Sequence, residues 1–390
     1  MMHSYHLLMP YLAGLSLFLT LLVFALWVYA GLHIKKLCDL PLSEPGARLP
    51  SVSLVAPARN EERNIEQAVR SLLKLDYPNL QITLVNDRST DSTGEILDRL
   101  AKEFPQLNVV HLTDLPAGWL GKNHAMQYGA ERSDGEWILF TDADVIFEPT
   151  TLKRAIRYAV ENEVDHLAGA PDTRMPSWLL KCFVVTFSMN FVLFVRAWGI
   201  RNPRSSAHVG IGAFNLVRRA VFEKIEGFRP IKMRPDDDLK FGKLVKLRGF
   251  RQDLVSGADG MIVVHWYGSV WEMVRGLEKN MYAVVEYSFP PALFISGSML
   301  LFNIWPYFAI FLTTGTARWL YIADVVALTL ILAASARETR NSYTTALGFP
   351  LAVALMVFIQ WRCIFLTYWK NGIQWRDTHY SLAELRANRI

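Results

Sequence analysis

The stretch Trp137-Ile138-Leu139-Phe140-Thr141-Asp142-Ala143-Asp144-Val145 joins an apolar run to two carboxylates one residue apart. Four apolar residues in a row read as a buried strand, and an open α/β sheet covered by helices binds its ligands at the carboxyl ends of its strands. Two acids at such an end repel each other unless a cation, a proton or hydrogen-bond donors compensate. A divalent ion, Mg2+ or Mn2+, takes one or two carboxylates and fills its other positions with water and phosphate oxygens, which makes Asp142 and Asp144 candidate metal ligands. The alternative is a cap, with Asp144 or Thr141 opening the helix expected near Pro149.

Before this strand the chain alternates between strand and helix. Residues 51–57 predict a strand, and Ala58-Arg59-Asn60-Glu61-Glu62 turns into a helix whose Ile65, Ala68, Val69, Leu72 and Leu73 repeat at helical spacing. A second strand over 81–85 stops at the polar turn Asn86-Asp87-Arg88-Ser89-Thr90-Asp91-Ser92-Thr93, where Ser92 and Glu95 form a candidate capping box. Further strands are expected over 108–112, 136–141 and 164–168, and helices over 122–132 and 152–160. This alternation implies a doubly wound, mostly parallel sheet. Asp87 would then share a crevice with Asp142 and Asp144, unless it serves only its own turn. No Gly-x-Gly-x-x-Gly follows the first strand and no Walker A loop occurs, which disfavours a dinucleotide oxidoreductase and a P-loop enzyme. Lys122, at the start of a helix, is suited to a phosphate or is a solvated surface lysine.

Downstream, Gly210-Ile211-Gly212-Ala213-Phe214-Asn215 can admit backbone close to a ligand or make a tight turn. Arg234-Pro235-Asp236-Asp237-Asp238-Leu239 sets three acids before a basic helix over 240–248. Acids there suit the helix dipole, but three exceed what capping needs, and one near a substrate hydroxyl can act as general base.

The 390 residues are 52% hydrophobic, and the apolar surplus lies at the ends. Residues 11–32 carry no charge and are long enough to cross a bilayer; His33, Lys35 and Lys36 follow, so the positive-inside rule puts what comes next in the cytoplasm. The expected organisation is a membrane anchor over 1–36, a linker over 37–50 with Pro41, Pro45 and Pro50, a cytoplasmic catalytic domain over 51–285, a membrane region over 286–368 and a basic tail over 369–390. Within the domain, 179–198 are apolar between Lys181 and Arg196 and are expected to lie at the membrane face. At the rear, 289–314, 319–336 and 345–368 are of spanning length. Three crossings would leave the tail, with Lys370, Arg376, Arg386 and Arg389, on the far side, against the positive-inside rule, so one stretch, the Pro-containing 289–314, is expected to be re-entrant or interfacial. Cys38, Cys182 and Cys363 have no metal-ligand spacing. The net charge of +5 comes without a basic run or nucleic-acid motif and suits anionic lipid rather than nucleic acid.

Asn60-Glu61, Asn86-Asp87, Thr141-Asp142-Ala143-Asp144 and Pro235-Asp236-Asp237-Asp238, in this order, resemble the family 2 glycosyltransferases over about 50–285. The resemblance implies a GT-A fold, a nucleotide-diphosphate sugar donor such as a UDP-sugar, a divalent cation and inversion at the anomeric carbon. It makes Asp87, with Asn60 and Glu61, the holder of the nucleotide, and Asp142 and Asp144 the Asp-x-Asp pair, with Asp144 on the metal. Lys122 becomes the lysine that reaches nucleotide or phosphate, and Asp236 the base, with Asp237 and Asp238 as rivals because Pro235 replaces the family's glutamate. The Gln-x-x-Arg-Trp motif of processive and sphingolipid-directed relatives is replaced by Gly276-Leu277-Glu278-Lys279-Asn280. With Pro116-Ala117-Gly118-Trp119-Leu120-Gly121-Lys122-Asn123, the chain looks more like the bacterial branch associated with hopanoid and carotenoid glycosylation, which implies a hexosyltransferase of the inner (plasma) membrane acting on a membrane lipid. A processive polysaccharide synthase and a non-catalytic membrane scaffold are the competing readings.

Overall fold

The computed structural model describes residues 2–42, 48–375 and 378–390. Pro45 of the linker and Arg376 of the tail lie outside the described residues. The chain divides into two compact units, one of residues 34–174, 195–265 and 383–390, the other of 1–33, 175–194 and 266–382. The chain leaves the first unit after His265, and its last eight residues belong to that unit again.

The first unit is built on a ten-stranded sheet. In chain order its strands are β1 (Lys35–Lys36), β2 (Val52–Ala58), β3 (Leu80–Asp87), β4 (Leu107–Leu112), β5 (Trp137–Phe140), β6 (Ile146–Phe147), β7 (His166–Arg174), β8 (Asn215–Arg218), β9 (Gln252–Gly257) and β10 (Ile262–His265). The order across the sheet is β1-β9-β7-β8-β5-β2-β3-β4, with β10 beside β6 and β7. Strand β2 runs parallel to β3 and β5, and β3 parallel to β4, so Leu54 lies opposite Ile82 and Leu139. Strand β8 alone runs antiparallel to both neighbours, β5 and β7. The sheet is thus α/β and mostly parallel, as the strand-helix alternation predicts. Parallel strands buried on both faces need continuous apolar sequence, and Val52, Leu54, Val55, Ala56, Leu84, Val85, Ile138 and Leu139 are all closed to solvent.

On one side of β5 the core is aromatic. Phe140 meets Phe228 edge to face with centroids 4.9 Å apart, and Phe228 stacks on Phe241 at 4.9 Å. Such pairs contribute about 0.5–1.5 kcal/mol beyond their buried area. They fix the strand that carries the acid pair to the helix Asp237–Leu247 that carries the second acid cluster.

The first part of the linker is held, because Arg154 donates to the carbonyls of Cys38 and Leu40, and Arg157 to that of Leu42. Two expectations are corrected. Ser92 makes no capping bond; the Asp91 carboxylate accepts from the Thr93 N–H at 3.0 Å and the Glu62 N–H at 3.2 Å. Neither Thr141 nor Asp144 caps the helix Thr151–Glu161, since the Glu148 carboxylate accepts from the Thr150 N–H at 2.7 Å.

The second unit gathers the apolar helices. Among the described residues five helices are long and apolar enough to cross a membrane: Leu8–His33, Trp178–Gly199, Phe289–Leu312, Gly315–Glu338 and Tyr343–Trp369. Val185 and Met189 of the second pack with Leu328, Ile331, Phe349 and Val353 of the last two. Phe289–Leu312 is broken by a π-helical turn over Leu300–Ile304, just before Pro306. The unit also holds the amphipathic helix Val270–Leu277 and a hairpin of β11 (Gly372–Trp375) and β12 (Thr378–Ser381).

Candidate functional site

Because β2, β3 and β5 are parallel neighbours, the residues that follow them meet at one edge of the sheet. Asn60 lies just past β2, Asp87 ends β3 and Asp142 follows β5. Asn60 and Arg88 both hold left-handed backbone, with φ of 54° and 55°. Asparagine tolerates that conformation, whereas for arginine it carries a cost, and such strain gathers at ligand sites. Arg88 turns back onto the residue before it, Nε donating to Asp87 Oδ1 at 2.7 Å and Nη2 to Oδ2 at 3.1 Å. Arg59 approaches the same carboxylate at 3.8 Å, so buried Asp87 sits between two guanidinium groups. The Asn60 side chain accepts from the Thr90 N–H at 2.8 Å, and the Glu61 N–H donates to Thr93 Oγ1 at 2.8 Å, which ties the turn after β2 to the turn after β3.

The acid pair sits where β8 begins. Strand β8 is antiparallel to β5, with Asn215 opposite Phe140, so the glycine stretch before β8 lies beside the residues after β5. Thr141 Oγ1 donates to the Ala213 carbonyl at 2.8 Å, and the Asp142 N–H to the Gly212 carbonyl at 3.1 Å. The Gly212 N–H in turn donates to Asp238 Oδ2 at 2.9 Å. Glycine is required here by close approach: a Cβ on Gly212 would stand 2.7 Å from Asp142 Oδ2, and one on Gly210 would overlap the Asp238 carbonyl oxygen. The glycine stretch therefore brings two carboxylate clusters together, a role its sequence left open between ligand approach and turn.

Lys122 lies among these acids. Its Nζ is 2.8 Å from Asp142 Oδ1 and 3.4 Å from Asp237 Oδ2. Burial pulls the ammonium pKa down, but Asp142, Asp237 and Asp238 outweigh it and raise the pKa, so Lys122 is held charged. Asp144 is pushed up to about 7, chiefly by burial and then by the charges of Asp142 and Glu61. Asp238 is also raised, with burial the main cause and Lys122 opposing it.

Asp236, the base by resemblance, is bound by Arg234. Arg234 Nε donates to its Oδ1 at 2.8 Å and Nη2 to its Oδ2 at 2.9 Å, Lys240 stands 3.6 Å away, and both Arg234 and Asp236 are buried. The guanidinium thus occupies both oxygens of Asp236, whereas Asp237 and Asp238 face Lys122. Asp236 makes no capping bond either. Sequence reasoning did not find Arg59, Arg88 or Arg234 as partners of these acids; Arg88 and Arg234 lie within two residues of the acid that each holds, where adjacency was the available signal, whereas Arg59 reaches Asp87 from the turn after the neighbouring strand.

The cluster suits a divalent cation. Asp144 carries a pKa raised first by burial and then by the negative charges of Asp142 and Glu61, and a cation would relieve that repulsion. Among the described residues no three His, Cys, Asp or Glu side chains converge as a full ligand set. An ion on Asp142 and Asp144 would thus complete its shell from water and a substrate's phosphates, the habit of Mg2+.

Residues 53–226 match the family described as Glycosyl transferase family 2. The chain is 30% identical over 198 residues to the probable glycosyltransferase YdaM of Bacillus subtilis (strain 168), covering 49% of this chain and 46% of that protein. It is 36% identical over 111 residues to the beta-monoglucosyldiacylglycerol synthase of Synechocystis sp. (strain ATCC 27184 / PCC 6803 / Kazusa), covering 28% and 23%. The chain thus spans less than half the length of either relative. Among solved structures, the mannosyltransferase PcManGT from Pyrobaculum calidifontis, in complex with GDP-Man and Mn2+, is similar with a TM-score of 0.54 at 18% identity, covering 90% of this chain and 99% of that one. That likeness is one of fold.

Proposed function

Since the chain carries a family 2 glycosyltransferase domain, we propose that it moves a single sugar from a UDP-sugar or similar nucleotide-diphosphate sugar to a hydroxyl or carboxyl of a membrane lipid, with inversion at the anomeric carbon. The observation that carries this reading is the meeting of Lys122, Asp142, Asp144, Asp237 and Asp238 at the carboxyl edge of the sheet. A cation amid four carboxylates is suited to a metal-bound diphosphate, and Asp238, raised by burial, to a proton transfer beside it.

Asn60, Glu61 and Asp87 would hold the nucleotide, with Arg59 and Arg88 fixing Asp87. A Mg2+ or Mn2+ ion held by Asp142 and Asp144 would supply Lewis-acid stabilisation of the departing diphosphate. Lys122 offsets the same charge as the bond between the anomeric carbon and the diphosphate oxygen breaks and its electron pair leaves with the diphosphate. Asp238, whose pKa burial raises, accepts the proton of the acceptor hydroxyl while the new carbon–oxygen bond forms on the opposite face of the sugar. The apolar helices support a lipid acceptor and a membrane-embedded protein, placed in this reading at the inner membrane, and His33, Lys35 and Lys36 directly after the first of them favour a catalytic unit in the cytoplasm. The Synechocystis relative, named for a glycolipid product, points the same way.

The test is transfer by detergent-purified protein from a panel of labelled nucleotide sugars to total membrane lipid, with and without Mn2+ or Mg2+. A metal-dependent, lipid-extractable product that disappears in Asp144→Ala is expected. Label found only in a high-mass, water-soluble polymer would turn the reading to a polysaccharide synthase, and no turnover with any donor would end the enzyme reading.

A further inference from the structure

The unit of apolar helices contains a cavity of about 220 Å³, none of whose lining residues belongs to the acidic site. Arg275 of the helix Val270–Leu277, Lys279, Lys370 just past the helix Phe349–Trp369, and Trp375 of β11 line it, with Leu366 and Ile373 as apolar wall. The lining has one acid, Glu278, whose carboxylate accepts from Arg362, so the balance is positive. Two of the three lining cations, Lys279 and Arg275, stand beside tryptophan, as does Arg362 next to the cavity. Lys279 Nζ lies 4.2 Å from the Trp375 ring centroid, and the guanidinium groups of Arg362 and Arg275 lie 4.9 Å and 5.5 Å from that of Trp271.

Size and composition narrow the ligand. Whole small-molecule sites begin at ~300 Å³, so this volume suits a head group rather than a nucleotide sugar. Basic side chains with tryptophan at the end of a long apolar helix make up the layer where lipid phosphates lie. Arg275 and Lys370 are exposed, so the charged end opens to water, while Leu366 and Ile373 can meet the glycerol and first methylenes. We propose that this cavity binds the phosphate of an anionic membrane lipid through Lys279, Lys370 and Arg275. The site is independent of the transfer reaction and would be kept if the acceptor were not a lipid.

The experiment follows thermal unfolding of the detergent-purified full chain as palmitoyl-oleoyl-phosphatidylglycerol, the matching phosphatidylcholine, or inorganic phosphate is added. Ligands that bind the folded state raise Tm in proportion to their saturation. The phosphatidylglycerol is expected to raise Tm at lower concentration than the phosphatidylcholine, and the double variant K279Q/K370Q to need about tenfold more of it or beyond. Equal shifts with both lipids, or an unchanged midpoint in the double variant, would overturn the proposal; an equal shift with inorganic phosphate would assign the cavity to a soluble anion instead of a lipid. Should the double variant fold poorly, native mass spectrometry of the unaltered protein in a mixed micelle reads the same preference, and retention of both lipids in proportion to their supply would count against it.

Discussion

Asp236 and Asp238 stand two residues apart on one turn, yet their surroundings give them different work. Asp236 neutralises a guanidinium that has no access to water, whereas Asp238 accepts from the Gly212 N–H and feels Lys122 and Asp142. Their amide variants should separate accordingly. Asp238→Asn is expected to fold normally, bind donor with little change, and lose about 10²–10⁴ in kcat, the usual worth of a positioned acid or base. Asp236→Asn should instead cost about 3–5 kcal/mol of stability, because it strips the carboxylate charge from a buried arginine. Steady-state kinetics beside thermal unfolding of both variants would tell; a D238N protein with near-normal turnover would remove Asp238 from the reaction. The sequence displayed the acid run plainly but could not choose within it, since the choice depends on where Arg234 points and on how closely Gly210 lets the helix approach.

The helix that carries these acids is tied to the sheet by a buried polar network. His166, at the start of β7, bonds through Nε2 to the Asn215 side chain and through Nδ1 to the Gln252 amide at 3.0 Å, and Gln252 also donates to the Gly242 carbonyl within the helix Asp237–Leu247 at 2.5 Å. Burial, partly opposed by the bond to Asn215, pulls the imidazole down to about 4. An unfolded imidazole takes up its proton near pH 6.5, so the unfolded state gains a proton first as pH falls. The network's full contribution is present above pH 6.5 and is lost progressively toward pH 4, by about 3 kcal/mol in all. Thermal unfolding between pH 7 and 4 should fall accordingly in the natural protein and more gently in His166→Gln; identical slopes would refute the network's role. At this scale the early strands were legible, because β2, β3 and β5 are predominantly apolar runs closed by polar turns. Strands β8, β9 and β10 were not, since each has four to six residues and its partners lie far off in sequence. Polar residues within them, such as Asn215 and Gln252, belong to this network rather than to loops.

For the whole molecule, the sequence fixes where the apolar helices lie but not how the chain is threaded between them and the sheet. Residues 383–390 return to the sheet-bearing unit: the Asn388 side chain accepts from the Met233 N–H at 3.0 Å and donates to the Pro230 carbonyl at 2.8 Å, and Ile390 packs on the aromatic core. The chain leaves that unit after His265 and is back in it by Ala383. A path that departs from one face of a bilayer and ends on the same face crosses it an even number of times. Three candidate spans lie between those points, so at least one of them is expected not to cross, and the broken helix Phe289–Leu312 is the one whose backbone is interrupted by a π-turn. The same count applies to Trp178–Phe194, whose flanking strands β7 and β8 pair with each other, so that helix is expected not to be a single crossing. Cysteines placed singly at Lys224 and at Ala387, in a chain whose own cysteines are replaced by serine, should therefore react with an impermeant thiol reagent from one and the same side of sealed vesicles. Labelling from opposite sides would mean an odd number of crossings, and the docked carboxyl-terminal segment could not then exist.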